Sequence, residues 1–157
     1  MTEHSETEWL DEEERAAWIG LMTLFFTLPA ALDRQLRAES SMTHFDYQVM
    51  VILSGVPNRS LRMSELATLT EGSLPRLSQV VRRHEESGWI ERRPDPDDGR
   101  STLAILTDAG FDALAAAAPG HVAEVRRLVF DPLSRTQVHQ LERIATRILS
   151  ARETDAD

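Results

Sequence analysis

Residues 73 to 86, Ser-Leu-Pro-Arg-Leu-Ser-Gln-Val-Val-Arg-Arg-His-Glu-Glu, concentrate hydrogen-bond donors at helical spacing. On a helix turning about 100° per residue, Leu74, Leu77, Val80, Val81 and His84 share one face. Pro75, Arg76, Ser78, Gln79, Arg82, Arg83 and Glu86 share the other. A guanidinium matches guanine O6 and N7 or a phosphate, and a carboxamide matches adenine N6 and N7, so this face carries the donors that base edges in a major groove require. Ser73 is an N-cap, and a helix start offers backbone N–H groups and a positive dipole to a phosphate. A charged helix face by itself is usually only solvated, so its chemistry depends on what flanks it. His84 lies on the apolar side with no histidine beside it, which reads as a core residue rather than a ligand.

The flanks are informative. Before this helix, "MSELATLT" (63 to 70) spaces Leu66, Ala67 and Leu69 for a two-turn helix facing inward, and "TEGS" makes a turn. Pro75 falls in the first turn of the second helix, where a missing N–H costs nothing. After it, "WIERR" reads as a strand, "PDPDDG" as a turn, and "RSTLAIL" as a strand with Leu103 and Ile105 on one face. Helix, turn, helix and hairpin together make a winged helix. In the hairpin loop, Asp98 is spaced to hold a neighbouring arginine, Arg100 first among them, whereas Asp95 and Asp97 read as solvated turn residues.

Longer helices must position this unit. From Asp11 to about Arg37, Leu21, Phe25, Leu28, Leu32 and Leu36 recur at helical spacing, with Trp18, Met22 and Phe26 widening the apolar surface and Pro29 predicting a kink. Thr43 with Asp46 predicts a capped helix containing Phe45, Val49, Met50, Ile52 and Leu53, ended by Gly55 and Pro57. Thr107 caps a further helix, interrupted or bent at Pro119 and Gly120. Ser134 with Gln137 opens a last one, striped by Val138, Leu141, Ile144, Ala145, Ile148 and Leu149, and "ARETDAD" reads as a frayed tail. The fold expected is mainly α with a small β-hairpin wing: one domain over 1–157, a reading lobe at 44–107, and helices at 9–38 and 108–152 whose excess apolar surface predicts a dimer.

Composition removes competing chemistries. The 157 residues contain no cysteine, which excludes disulfides, thiol sensing and cysteine metal sites. His4, His44, His84, His121 and His139 lack paired metal-ligand spacing, and no phosphate loop, nucleophile elbow or zinc-protease motif is present, so neither an enzyme nor a cofactor or metal is expected. The richest apolar run, Trp18 to Leu32, is too short for a bilayer and holds Pro29; with no export leader evident, a cytoplasmic protein without a membrane partner is expected. The net charge of −9 is unevenly placed. Residues 1–58 hold 3 Arg against 10 acidic residues, 59–107 hold 8 against 8, and 108–157 hold 6 against 8. Every basic residue is Arg, so any anion would be met by planar guanidinium forks.

These stretches together resemble the MarR family of winged helix-turn-helix transcriptional regulators. The resemblance is carried by "THFDYQVMVIL", by "MSELATLTEGSLPRLSQVVRRHEESGWIERRPDPDDGRSTLAILTDAG" and by the closing amphipathic helices. Its most specific part is the wing pattern of Gly88, Trp89, Ile90, Arg92, Asp98 and Arg100, followed by Leu106, Thr107 and Gly110. The resemblance implies a homodimer whose end helices intertwine and whose two lobes straddle a pseudo-palindromic operator in double-stranded DNA. Such a protein would repress its own or adjacent genes until released by a small, often aromatic or phenolic, effector. Carried over, Ser64, Ser73, Arg76, Ser78, Gln79, Arg82 and Arg83 belong to the major groove and its flanking phosphates. Arg92, Asp98 and Arg100 belong to the wing, with Arg100 in the minor groove. Gln79 stands where the family often has Arg, which points to a different operator. Trp18, His44, Phe45 and Tyr47 lie on the helices that line the effector cleft in relatives; as bare residues they read first as dimer or lobe core, because aromatic residues at helical spacing dominate cores and interfaces. Two other functions compatible with the fold are a winged helix for protein contacts and a ligand-binding protein without operator specificity. The outward arginines weigh against the first.

Overall fold

The computed structural model describes residues 7–154; the last three residues of the expected frayed tail lie outside the described residues, while Arg152 to Thr154 continue the final helix. Helix α1 spans Glu12–Ser40. It opens on a reciprocal box in which Asp11 accepts the Glu14 N–H and Glu14 accepts the Asp11 N–H, at 2.8 and 3.0 Å. It runs on through Pro29 as one helix. By length and composition α1 is apolar enough to cross a membrane. Trp18, Ile19, Leu21, Leu24, Phe25 and Phe26 all stand exposed on it, and only Leu36 reaches the core.

Helix α2, His44–Ser54, begins on the capping box expected from Thr43 and Asp46. The short strand β1, Ser60–Arg62, precedes α3, Met63–Leu69, and α4, Leu74–Glu86. Strands β2, Ile90–Pro94, and β3, Thr102–Leu106, form the wing. Strand β3 lies central in an antiparallel sheet of order β1-β3-β2, with Ser60 opposite Ile105 and Ile90 opposite Leu106. Leu103 and Ile105 do share a face, but the buried face is the other one, carrying Ala104 and Leu106. In α3, Leu66, Ala67 and Thr70 turn inward and Leu69 outward. A helix this short buries an i, i+1, i+4 arc, and Leu69 falls beyond its edge.

Helix α5, Asp108–Val125, passes through Pro119 without interruption. The irregularity comes later, as a π-helical turn at Arg126–Phe130 closed by the Asp131 N–H on the Arg126 carbonyl at 2.8 Å. Helix α6, Arg135–Thr154, follows the box of Ser134 and Gln137. Leu141, Ile144, Ile148 and Leu149 stand exposed on α6, and an open apolar groove runs between α6, the π turn and the middle of α1.

The core joins Leu36 of α1, Val49, Met50 and Leu53 of α2, Leu66 of α3, Leu77 and Val81 of α4, Ile90 of β2 and Ala104 of β3. One close approach seats α5 on this lobe. A side chain at Gly110 would drive its Cβ into the Trp89 carbonyl oxygen, and beside it the Thr107 hydroxyl donates to the Gly88 carbonyl at 2.6 Å. That is the physical content of the Leu-Thr-x-x-Gly pattern.

Candidate nucleic-acid interface

Helix α4 is built to turn one face outward. Ser73 caps it by accepting the Arg76 N–H, Pro75 sits in the first turn, and Leu77, Val80, Val81 and His84 are buried. The remaining side chains divide into two flanks. On the wing side, Ser78 shares a groove of about 330 Å³ with Ser64 of α3, Arg92 of β2 and Arg100 of the wing loop. On the opposite side, Arg76, Gln79 and Arg83 line a cleft of about 690 Å³ whose other wall is Phe25, Pro29, Asp33 and Arg37 of α1 and His44 and Phe45 of α2. Between the flanks Arg82 projects into solvent.

The wing is anchored through Asp95. That residue, read from sequence as a solvated turn residue, is buried: its Oδ2 accepts from Arg62 Nε at 2.6 Å and its Oδ1 accepts the Asp97 N–H at 2.9 Å. The Asp97 N–H and the Arg62 guanidinium hold its carboxyl below the usual carboxylate range. Asp98 does not grip the Arg100 guanidinium. Its Oδ1 accepts the Arg100 backbone N–H at 3.1 Å and its Oδ2 accepts the Ser101 hydroxyl at 2.8 Å, and these bonds lower its pKa. The splint acts on the backbone of the wing tip, and the Arg100 side chain stays free. A carboxylate two residues before an arginine meets that arginine's own backbone N–H first, because the turn folds it toward the side chain.

Arginines elsewhere in the lobe are spoken for. Arg59 pairs with Asp108 at 3.0 Å and lies over the Phe111 ring; Arg83 pairs with the buried Asp46; Arg92 pairs with Glu85 at 2.6 Å; and Arg93 pairs with Glu91 at 2.8 Å. Arg76 lies over the Phe45 ring, its Cζ 4.1 Å from the centroid. With Arg62 on Asp95, six of the eight arginines in 59–107 are engaged inside the protomer. Arg82 and Arg100 make no ion pair among the described residues, and they stand one on the outward helix and one on the wing tip. Three of the six are braced by acids of the same stretch, two by acids outside it and one by an aromatic ring, which leaves two of the eight cations to face outward.

Asp46 anchors the far end of α4. Nearly all its surface is covered; it accepts from Thr43, pairs with Arg83, and lies 3.2 Å from His84 Nε2. Burial alone would raise its pKa, but the contacts with His84 and Thr43 outweigh burial and hold it far below the ordinary range. His84 is the core residue that the sequence predicts, stacked on Trp89 at 5.4 Å between ring centroids.

Of the four expected effector residues, His44 and Phe45 line the cleft. Tyr47 is buried against His121, its ring 4.2 Å away, and Trp18 stands exposed on α1 outside the cleft lining. The structure also brings together histidines that the sequence scatters: the rings of His44 and His121 stack at 6.0 Å, and the Nδ1 atoms of both are buried without a hydrogen-bond partner. The pairing joins α2 to α5 across 77 positions, a separation at which no local signal operates.

Comparison with known proteins adds to this geometry. A sequence profile of the MarR family matches residues 41–101. The transcriptional repressor MprA of Escherichia coli strain K12 is 30% identical over 104 residues, an alignment covering 66% of this chain and 58% of the repressor's own length. Among solved structures, Sco3205, a MarR family transcriptional regulator from Streptomyces coelicolor in complex with DNA, is 41% identical. That likeness covers 94% of this chain and 91% of that one with a TM-score of 0.84. AbsC, a MarR family transcriptional regulator from the same organism, is 32% identical, with 94% of this chain and 99% of that one covered and a TM-score of 0.84.

Proposed function

Since the chain belongs to the MarR family, whose members are transcriptional regulators, we propose that it is a dimeric, sequence-specific DNA-binding regulator that represses its own or adjacent genes in the cytoplasm. The observation that carries this reading is the pair of uncommitted guanidiniums, Arg82 on the outward face of α4 and Arg100 at the wing tip. Arg100 lines a groove containing Ser64 and Ser78, and Arg82 is exposed one helical turn beyond Ser78. In a duplex, Arg82 and Ser78 would face base edges of the major groove, with Gln79 at the cleft-side edge of that face and Ser64 and Ser73 toward phosphates. Arg100 would enter the adjacent minor groove, whose negative potential attracts a guanidinium. That the 41% identical Sco3205 has been solved in complex with DNA supports a DNA-binding role for this chain.

Residues 44–107 act as the reading lobe, and 9–38 with 108–152 as the dimer region. The exposed apolar residues of α1 and α6 and the groove between them are what a second copy would cover, as in an isologous dimer. The cleft between α1, α2 and α4 is the place for a small aromatic effector, with His44 and Phe45 to stack on it.

Selection of bound duplexes from a random pool, followed by footprinting and by sedimentation of the protein alone, tests the reading. A palindromic consensus bound by a dimer is the expected outcome. Enrichment of no sequence over the starting pool would refute operator specificity, and a monomer at micromolar concentration would refute the dimer.

A further inference from the structure

Two adjacent residues at the start of α2 hold two arginines of α4 that lie seven positions apart on one flank: Asp46 takes Arg83, and Phe45 takes Arg76. The Phe45 ring is itself wedged. It is buried, and its Cζ occupies the space beside Gly72, where an added Cβ would stand 2.8 Å from it in the turn between α3 and α4. The ring therefore touches the turn of the helix-turn-helix at its tip and the guanidinium of Arg76 on its face.

We propose that Phe45 is a positioning residue that parks Arg76 on the cleft side of the recognition helix, away from the DNA, and so limits how many phosphates each lobe engages. The inference rests on the DNA-binding reading above. Within the protomer, the stack on Phe45 is the contact recorded for the Arg76 guanidinium, whereas Arg83 is held by a buried carboxylate. A face-on cation–π contact at a solvent-exposed arginine favours the stacked arrangement by only about two- to fivefold. Arg76 is thus the arginine on this flank that a change at Phe45 sets free, and its long stem from the first turn of α4 brings the freed guanidinium within range of the phosphates flanking the groove.

The test compares the wild type with the protein carrying pentafluorophenylalanine at position 45, which keeps the ring's shape while removing its negative face, and with Phe45→Leu. Both are measured with and without Arg76→Met, which keeps the stem and removes the charge. The readouts are affinity for a short random-sequence duplex and the slope of log affinity against log salt.

Releasing Arg76 should tighten binding by about two- to fivefold per protomer and steepen the slope by about 0.9 for each additional phosphate neutralised. Both effects should vanish with Arg76→Met. An unchanged slope in the fluorinated protein, or tighter binding that survives Arg76→Met, overturns the proposal. The fluorinated protein keeps the core filled, so the result stands if Phe45→Leu proves unstable. The stack has its own readout: the Arg76 Nε–H resonance should be ring-shielded in the wild type and lose that shift in Phe45→Leu. Absence of shielding refutes the parking directly. Absence of any salt-dependent duplex binding by the wild type refutes the DNA reading instead.

Discussion

Arg62 Nε stands 2.6 Å from Asp95 Oδ2, and that ion pair ties the residue preceding α3 to the loop of the wing. The pair sets the distance between the two parts of the molecule that would straddle a DNA backbone, because it joins β1 to the wing loop through a buried acid. Asp95→Asn keeps the shape but discards the charge. It should weaken duplex binding several-fold while leaving α4 intact. Amide hydrogen exchange should show reduced protection at Asp97 and Ser101 but not in α4; unchanged protection in the loop would remove the anchor role.

Within residues 59–107, Arg82 and Arg100 are the guanidiniums with no ion pair or ring contact among the described residues, and so the ones free to meet phosphate or base edges. Replacing either with Ala should lower the slope of log affinity against log salt by about 0.9 for each phosphate that is no longer neutralised. Replacing Arg93, which is held by Glu91 at the edge of β2, should change the slope little. Titrations at several ionic strengths distinguish the two classes. Equal effects for all three residues would mean that the internal pairs open on DNA.

Asp98 braces the wing tip through the backbone of Arg100 and the hydroxyl of Ser101. Asp98→Ala should therefore weaken binding although it removes a negative charge near a polyanion. Tighter binding would show that simple charge repulsion outweighs the brace.

Acid should act on stability in two stages. Burial holds His44 and His121 below their ordinary value of 6.5; His44 further lowers His121 across the stack, while Asp33 partly offsets the effect on His44. Around the pair stand Asp33 and the Gln35 and Glu39 pair of α1, Tyr47 of α2, and Gly120 of α5 packed on Glu39. Below about pH 6.5 the unfolded chain binds protons that the folded one resists, so stability should fall as pH drops through that value and be flat above it. The Asp46 carboxyl, held far below its ordinary 3.8, contributes stability that persists above that value and is lost only as pH falls beneath it. Urea unfolding between about pH 8 and pH 5 checks the first stage, and His121→Phe should flatten it. A wild-type curve already flat over that range would show the stack to be indifferent to protonation.

Gly110 tests the seating of α5 on the lobe. The Cβ of Gly110→Ala would meet the Trp89 carbonyl, so the helix or the strand must move, at a cost of about 1–3 kcal/mol. Thermal unfolding reads this directly. A neutral substitution would mean that the junction yields without loss.

Local signals made much of this architecture legible. Thr43 with Asp46, Ser73 with Pro75, and Ser134 with Gln137 announce helix starts, because cap and partner lie within a turn of each other. The apolar arc of Leu77, Val80, Val81 and His84 likewise shows which side of α4 is buried. Features made by distant partners were not legible. β1 is three residues that become a strand only against β3, more than forty positions away. Asp95 looks like any turn acid until Arg62, 33 positions earlier, is folded against it. Alternation in β3 separates two faces without saying which meets the core, and Pro119 looks like a break although α5 continues through it. In the candidate interface the donors could be named from sequence, but not which of them the protein keeps for itself.

That division has a consequence for how the protein would move through a cell. With six of the lobe's eight arginines engaged by acids or a ring of the same protomer, the surface offered to DNA of arbitrary sequence would be weakly cationic. Binding to such DNA grows with each phosphate neutralised, so a lobe with few free cations spends little time on the vast excess of irrelevant sites. The molecules not held there would remain in solution, free to search for a specific site. Each acidic brace that makes the protein look ill-suited to nucleic acid would also keep it from being absorbed by the chromosome at large.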